Sequence, residues 1–260
     1  MTSGSPRPLA LITGASAGIG QACAHRFATE GWDLALWARR ADRLNDLATR
    51  LEEDHAIGVH TASVDVRDRD RVNAAAAALI DAAGVPDLLL NNAGLAVGRD
   101  FLHEGSADDW DRMIDTNLKG LLNVTRAILP GMVERGSGHV INIGSTAGHQ
   151  VYPRGNVYCA TKFGVHALTK GMNVDVAGSG VKVSSVDPGF VETEFSIVRY
   201  HGDQTQADAT YEGFQPLAAA DVADAVWYVA SRPAHVNVFD LIIMPTAQRD
   251  AFIVDREEAP

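Results

Sequence analysis

Short apolar runs alternate along the chain with longer segments in which apolar residues recur at three- and four-residue intervals. Leu9–Thr13, Leu34–Ala38, Val59–Val64, Leu88–Asn91, His139–Ile143, Val181–Val186 and Leu241–Met244 read as strands. Each is short and bounded by Gly, Pro or Asp, and most are continuously apolar, as strands covered on both faces are. Between them, Gly18–Glu30, Ala41–Glu53, Arg69–Ala83, Asp108–Arg135, Tyr158–Ala177 and Leu217–Ser231 have helical spacing. The alanine run Ala74–Ala78 adds helix propensity, and Asp221 places a carboxylate in a first turn, where it suits the helix dipole. This alternation predicts βαβ units: an α/β fold with one doubly wound parallel sheet and helices on both faces. No linker or repeat divides the chain, so residues 1–260 are predicted to form one domain. Phe190–Gln215 is the exception, polar and weakly periodic; it follows a strand end, where such sheets bind ligands, and is predicted to be a substrate loop. The tail Ala247–Pro260 shows no pattern.

Composition narrows the partners more than the fold. Across 260 residues, 33 Asp+Glu outweigh 22 Lys+Arg for a net charge of −11. That balance counts against nucleic acid and against an anionic membrane surface, both of which need basic residues, while a local basic site for a small anion stays open. At 46% hydrophobic and 21% charged, the composition is that of a globular protein. Cys23 and Cys159 lie far apart and form no CxxC pair, which predicts two buried thiols in a reducing compartment. The polar stretch Met1–Pro8 has no apolar core for a signal peptide, and no run approaches the length of a membrane span. A cytoplasmic protein is expected.

The first strand runs into Thr13-Gly-Ala-Ser-Ala-Gly-Ile-Gly20, with glycines at 14, 18 and 20. A strand-to-helix turn without side chains lets a pyrophosphate approach backbone N–H groups at the positive end of a helix. Gly14, Ser16, Gly18, Ile19 and Gly20 are therefore candidate cofactor contacts; a tight turn that binds nothing is the alternative. The end of the second strand carries Ala38-Arg39-Arg40, with no carboxylate to hold the ribose of NAD. Arg suits bidentate phosphate recognition, so Arg39 and Arg40 predict NADP, with solvated surface arginines as the alternative.

Tyr158 and Lys162 stand four apart on one helix face. A free tyrosine titrates near 10, too high for acid–base work at neutral pH. An ammonium about 4 Å away in a partly buried setting is expected to lower it by roughly three units. Ser145, at the end of the fifth strand, is placed to hold a substrate oxygen beside that tyrosine.

Taken together, these elements resemble the short-chain dehydrogenase/reductase family along nearly the whole chain. The resemblance rests on Thr13-Gly14…Gly18…Gly20, Asp65, Asn91-Asn-Ala-Gly94, Asn117, Ser145, Tyr158…Lys162, and Asp187-Pro-Gly189 followed by Thr193. It implies a Rossmann-type fold and an NADP-dependent oxidoreductase. Ser145 would orient the substrate oxygen and Tyr158 transfer its proton. Lys162 would bind the nicotinamide ribose and depress the tyrosine, and Asn117 would support a proton relay. Asp65 and Val66 would contact the adenine, with Asn92, Ala93 and Gly94 along the cofactor. Pro188, Gly189, Val191 and Thr193 would hold its nicotinamide end. Met113–Gly120, Ile128–Arg135, Gly144–Gly148, Thr193–Ser196 and Pro233–Asn237 resemble more closely the NADP-dependent 3-hydroxy acid dehydrogenases, a tetrameric subgroup that includes sulfoacetaldehyde reductases. Serine, allo-threonine or 3-hydroxyisobutyrate would be the substrate type, or an aldehyde bearing a sulfonate.

An anionic substrate asks for a cation, and Arg199 matches an arginine of that subgroup. Arg154 departs from the subgroup, in a place where a small residue is expected, and is a second candidate, with a solvated loop arginine as the alternative. The nine histidines show no metal-ligand spacing, so no metal is expected; His149, just past the Ser145 loop, is read as a surface or hydrogen-bonded residue. Trp32, Trp37, Trp110 and Trp227 read as core. A protein on the same fold that senses NADP(H) without catalysis is the rival of a different class.

Overall fold

The computed structural model describes residues 7–257; residues 1–6, within the polar N-terminal stretch, and 258–260, at the end of the tail, lie outside the described residues. In chain order the elements are β1 (Leu9–Thr13), α1 (Gly18–Thr29), β2 (Asp33–Ala38), α2 (Ala41–His55), β3 (Val59–Ser63), α3 (Arg69–Ala83) and β4 (Leu88–Asn91). Then come α4 (Ala107–Ile114), α5 (Leu121–Arg135), β5 (Gly138–Ile143), α6 (Asn156–Asp175) and β6 (Val181–Pro188). The last are β7 (Val191–Glu192), α7 (Phe195–Arg199), α8 (Gln204–Ala209), β8 (Leu217–Ala218), α9 (Ala219–Ala230) and β9 (Asp240–Ile243). Seven strands form one sheet in the order β3-β2-β1-β4-β5-β6-β9, and every pairing in it is parallel.

Parallel strands must be covered on both sides, and alternation along each strand divides the apolar residues between two layers. Ala10, Ile12, Leu34 and Leu36 pack with Cys23 and Phe27 of α1, Leu44 and Leu47 of α2, and Val222 and Val226 of α9. Leu9, Leu11, Ala35 and Trp37 face the other way, onto Val72 and Leu79 of α3, Val124 and Ile128 of α5, and Val165 and Met172 of α6. Each fully buried Leu or Ile contributes roughly 1.5–3 kcal/mol, which explains why these runs dominate the sequence pattern. Phe27, Trp32 and Trp227 meet edge to face, with ring centroids 5.2–6.1 Å apart. Both cysteines are buried free thiols.

Three stretches differ from the sequence expectation. The long helix predicted over Asp108–Arg135 is interrupted by a π-helical turn at Asp115–Gly120. Asn117 donates from Nδ2 to the Leu95 carbonyl (2.8 Å) and to Thr161 (3.0 Å), while its Oδ1 accepts from Leu95 N. Holding this side chain on neighbouring segments gives the turn tertiary anchors that local spacing does not show. The predicted substrate loop carries β7, α7 and α8, with β7 paired to β8. In the tail, Gln248 is buried and accepts from Phe190 N at 2.9 Å, pinning the turn after β6.

His139 on β5 lies in the sheet core and faces Ser184 Oγ at 2.8 Å through Nε2. Ser184 gives its own proton to Asn237 Oδ1, so Nε2–H donates and Nδ1 is left buried without a partner. Burial, with Lys182 nearby, pushes its pKa down to about 3. An unfolded histidine titrates near 6.5, so between pH 6.5 and 3 the unfolded chain binds a proton that the native one refuses. Stability contributed above pH 6.5 is therefore lost on acidification, by about 2 kcal/mol at pH 5. Urea unfolding at pH 7 and pH 5 should give a His139→Gln variant whose loss over that interval is smaller by about this amount. Equal pH slopes would rule out the buried neutral imidazole.

Candidate active site

A cleft of ≈ 350 Å³ opens at the carboxyl ends of the strands, where open α/β sheets bind ligands. One end is built by the β1–α1 turn. Gly14 has φ +67°, and a Cβ there would come within 2.9 Å of Asn92 Nδ2 and 3.0 Å of the Ala93 backbone. Gly20 is more restricted, because a Cβ would sit 2.5 Å from the Gly14 carbonyl oxygen. It therefore closes the helix onto the turn, and Gly14, Ser16, Gly18 and Ile19 line the cleft. Thr13 Oγ1 accepts from Asn92 N and Ala93 N, and Asn92 Nδ2 donates to the Thr13 carbonyl, which ties β4's exit to β1's. The start of α1 has no side-chain cap, so its first N–H groups remain available to an anion.

Arg39 and Arg40 both line the cleft beyond β2, but their surroundings differ. Arg40 donates to Ser16 Oγ (3.2 Å) and to Glu194 (2.8 Å), and Arg43 donates to the other oxygen of Glu194 (2.7 Å). Glu194, which the sequence reading did not single out, thus bridges the substrate loop to the start of α2; the two guanidiniums hold its carboxyl below the usual range. Arg39 has no side-chain ion pair or hydrogen bond among the described residues, leaving its guanidinium available to a phosphate. Asp65 and Val66 line the same wall, with Asp65 paired to Arg67 at 2.6 Å. Trp37, read from sequence as core, is buried and also lines the cleft.

The other end holds Ser145, Tyr158 and Lys162, facing Asn92–Gly94, Pro188, Gly189, Val191 and Thr193. Ser145 follows β5, caps the 3-10 turn Thr146–Gly148 by accepting from Ala147 N, and points its hydroxyl at the Pro188 carbonyl (3.4 Å). Tyr158 packs edge-on against Phe195. Lys162 Nζ donates to the Ile143 carbonyl at 2.9 Å and stands 5.9 Å from the Tyr158 ring centroid. The ammonium thus stands over the Tyr158 ring, but the expected lowering of the phenol is corrected. Burial pushes the Tyr158 phenol up, Ser145 and Arg199 pull it back only in part, and burial brings Lys162 down to about 8. In this state Tyr158 keeps its proton at neutral pH and is a donor.

Asn117 is not among the residues lining the cleft; its side chain is engaged with Leu95 and Thr161, a positioning task. Arg199 also lies off the lining, wedged between two tyrosines. Its Nη2 donates to Tyr152 Oη at 2.6 Å, its Cζ is 5.4 Å from the Tyr152 ring and 5.6 Å from the Tyr158 ring, and its Nε is buried without a partner. Arg154 is placed elsewhere: it adopts φ +62° and stacks on Phe101 at 4.5 Å, beside a separate small pocket. Arg154 is thus outside the main cleft, in a pocket that Tyr158 also borders. His149 is hydrogen-bonded, as read from the sequence, with Nε2 2.7 Å from Asp187 Oδ2. The fold gathers His149 and His166 with Asp187 and Asp240, each offering a ligand atom within 4.8 Å of the others. Residues that far apart in sequence leave no spacing signal.

Comparison with known proteins agrees with this geometry. The family model for short chain dehydrogenases matches residues 8–203. The chain is 47% identical over 251 residues to sulfoacetaldehyde reductase 2 of Chromohalobacter salexigens, covering 96% of this chain and 99% of that protein. It is 44% identical over 241 residues to the NADP-dependent 3-hydroxy acid dehydrogenase YdfG of Escherichia coli K12, covering 92% and 96%. Among solved structures, the closed form of serine dehydrogenase complexed with NADP+ superimposes with a TM-score of 0.89 at 43% identity, covering 96% of this chain and all of that one. No helix among the described residues is long and apolar enough to cross a membrane.

Proposed function

The chain belongs to the short chain dehydrogenase family, and from that premise we propose that it is an NADP-dependent oxidoreductase interconverting a small 3-hydroxy acid and its carbonyl. The substrate is of the serine, allo-threonine or 3-hydroxyisobutyrate type. One observation carries the reading: the glycine turn with Arg39 and the Ser145–Tyr158–Lys162 group face a single cleft. The turn, with its close approach at Gly14 and the uncapped start of α1, fits a pyrophosphate. Arg39 and Arg40 take the 2′-phosphate, Asp65 and Val66 the adenine, and Asn92–Gly94 and the 188–193 segment the nicotinamide half. NADP, when bound, supplies the hydride chemistry at the carbinol carbon.

The remaining steps belong to the chain's own side chains. Ser145 orients the substrate oxygen. Tyr158 gives its phenolic proton to that oxygen in reduction and takes it back in oxidation. Lys162, held by the Ile143 carbonyl, is set to meet the cofactor ribose, and Asn117 keeps the supporting turn in place. Arg199 receives the acid group of the substrate through its unpartnered Nε. Sulfoacetaldehyde reduction is the second reading, favoured by the 47% identical relative, with a sulfonate in place of the carboxylate. The protein acts as a cytoplasmic homotetramer in this reading, supported by two free thiols and by exposed Leu122 and Phe163 on α5 and α6 and Tyr228 and Ile242 on α9 and β9.

Nicotinamide absorbance tests it: NADP+ with serine, allo-threonine and 3-hydroxyisobutyrate, and NADPH with sulfoacetaldehyde. The expected result is turnover with kcat/KM for NADP above that for NAD by about 10–100-fold, the scale of a charge-assisted phosphate contact. Arg39→Ala should remove most of that preference. Tight NADPH binding with no turnover of any substrate would instead support the sensing role.

A further inference from the structure

His149, His166, Asp187 and Asp240 come from four separate elements behind the catalytic loop. His149 follows the 3-10 turn that begins at Ser145, and His166 lies one turn beyond Lys162 on α6. Asp187 is the penultimate residue of β6, and Asp240 opens β9, in register with Ser185. His149 Nε2 lies 2.7 Å from Asp187 Oδ2, His166 Nδ1 lies 4.0 Å from the same oxygen, and His166 Nε2 lies 3.8 Å from Asp240 Oδ2. The imidazole rings meet at 4.6 Å.

From this arrangement we infer that the four side chains form a binding site for a divalent transition cation of the zinc type. The donor set is two imidazole nitrogens and two carboxylate oxygens, which suits Zn2+ in four-coordination and not Ca2+ or Mg2+, which take six or more oxygens. A tetrahedral ion with bonds near 2.0–2.2 Å needs ligand atoms about 3.3 Å apart. With one nitrogen from each imidazole, all four ligand atoms already lie within 4.8 Å of one another, so the 2.7 Å His149–Asp187 contact has to open and the wider ones to close by no more than about 1.5 Å.

Two independent features leave the cluster short of positive charge. His166 Nδ1 is buried and has no hydrogen-bond partner. The Asp187 carboxylate is almost wholly buried and faces the Asp240 carboxylate within the same cluster. A dication satisfies both at once. The site would fasten the Ser145 loop to α6, β6 and β9, so its role is to hold the catalytic groups in register rather than to touch the substrate. It is independent of the substrate reading, since it requires neither NADP nor turnover.

The test uses the tag-free full chain, stripped with a chelator and titrated with Co2+ and Zn2+. The expected result is one Co2+ per chain with the visible absorption of a four-coordinate site, and Zn2+ bound in competition with a chromophoric chelator. The paired substitution His149→Gln and His166→Gln should abolish the absorption and weaken Zn2+ by at least about 100-fold, removing two ligands where an outer partner alone costs 10–100-fold. Asp240→Asn, at a sheet edge and tolerant of change, should weaken it by about 10-fold, with circular dichroism as the fold control. Absence of stoichiometric Co2+ uptake by the wild type overturns the inference. So does unchanged affinity in Asp240→Asn, which serves even if the double variant does not fold.

Discussion

Tyr158→Phe is expected to lower kcat by about 10³-fold, within the 10²–10⁴ range for loss of a positioned general acid–base group. The substitution removes one oxygen and leaves the ring against Phe195, at a centroid separation of 5.8 Å. Cofactor affinity should therefore stay nearly constant, because the turn at Gly14–Gly20 and Arg39 are untouched. Burial keeps the phenol protonated well above neutral pH, so wild-type reduction should hold a plateau across neutral pH. Stopped-flow reduction with NADPH, followed against pH, separates the proton step from binding. Activity within a few-fold of wild type in the Phe variant would remove Tyr158 from the mechanism.

Arg199→Ala is expected to lower kcat/KM for an anionic substrate by about 10–100-fold, the scale of a charge-assisted hydrogen bond worth 1.5–3 kcal/mol. Nη2 is taken by Tyr152, but the orphaned Nε and the absence of a carboxylate partner among the described residues leave the charge uncompensated for a ligand's acid group. It also opposes the rise of the Tyr158 pKa, at 5.6 Å from that ring. The two roles separate on a neutral short alcohol. A loss confined to hydroxy acids identifies a clamp for the acid group. An equal loss on both substrates assigns Arg199 to Tyr158 and ends the clamp reading. Arg199→Lys, which keeps the charge without the planar fork, should recover part of the loss on hydroxy acids.

The seven sheet strands and the six long helical segments are legible in the sequence because parallel strands leave apolar runs and surface helices leave a period near 3.6. The glycine turn is legible too from its spacing between a strand and a helix, although the groups that crowd Gly14 are Asn92 and Ala93, from another strand end. Tyr158 and Lys162 share a helix face for the same short-range reason. Asp115–Gly120 escaped because its π-turn is anchored by Asn117 bonds to Leu95 and Thr161, residues 22 and 44 positions away. Glu194 reaches Arg40 and Arg43 across 154 and 151 positions, and no local pattern announces such a bridge.

The sequence by itself thus determined the main strands and helices, their parallel sheet and which side chains sit at the strand ends. Only the tertiary structure decided what those side chains meet. It bound Lys162 to the Ile143 carbonyl, turned Arg154 onto Phe101 and wedged Arg199 between Tyr152 and Tyr158. It also gathered two histidines and two aspartates into one cluster. The physical reason is range. Backbone propensity and hydrophobic period act within a turn or two, whereas burial, ion pairing and ligand geometry depend on groups that chain folding alone brings together.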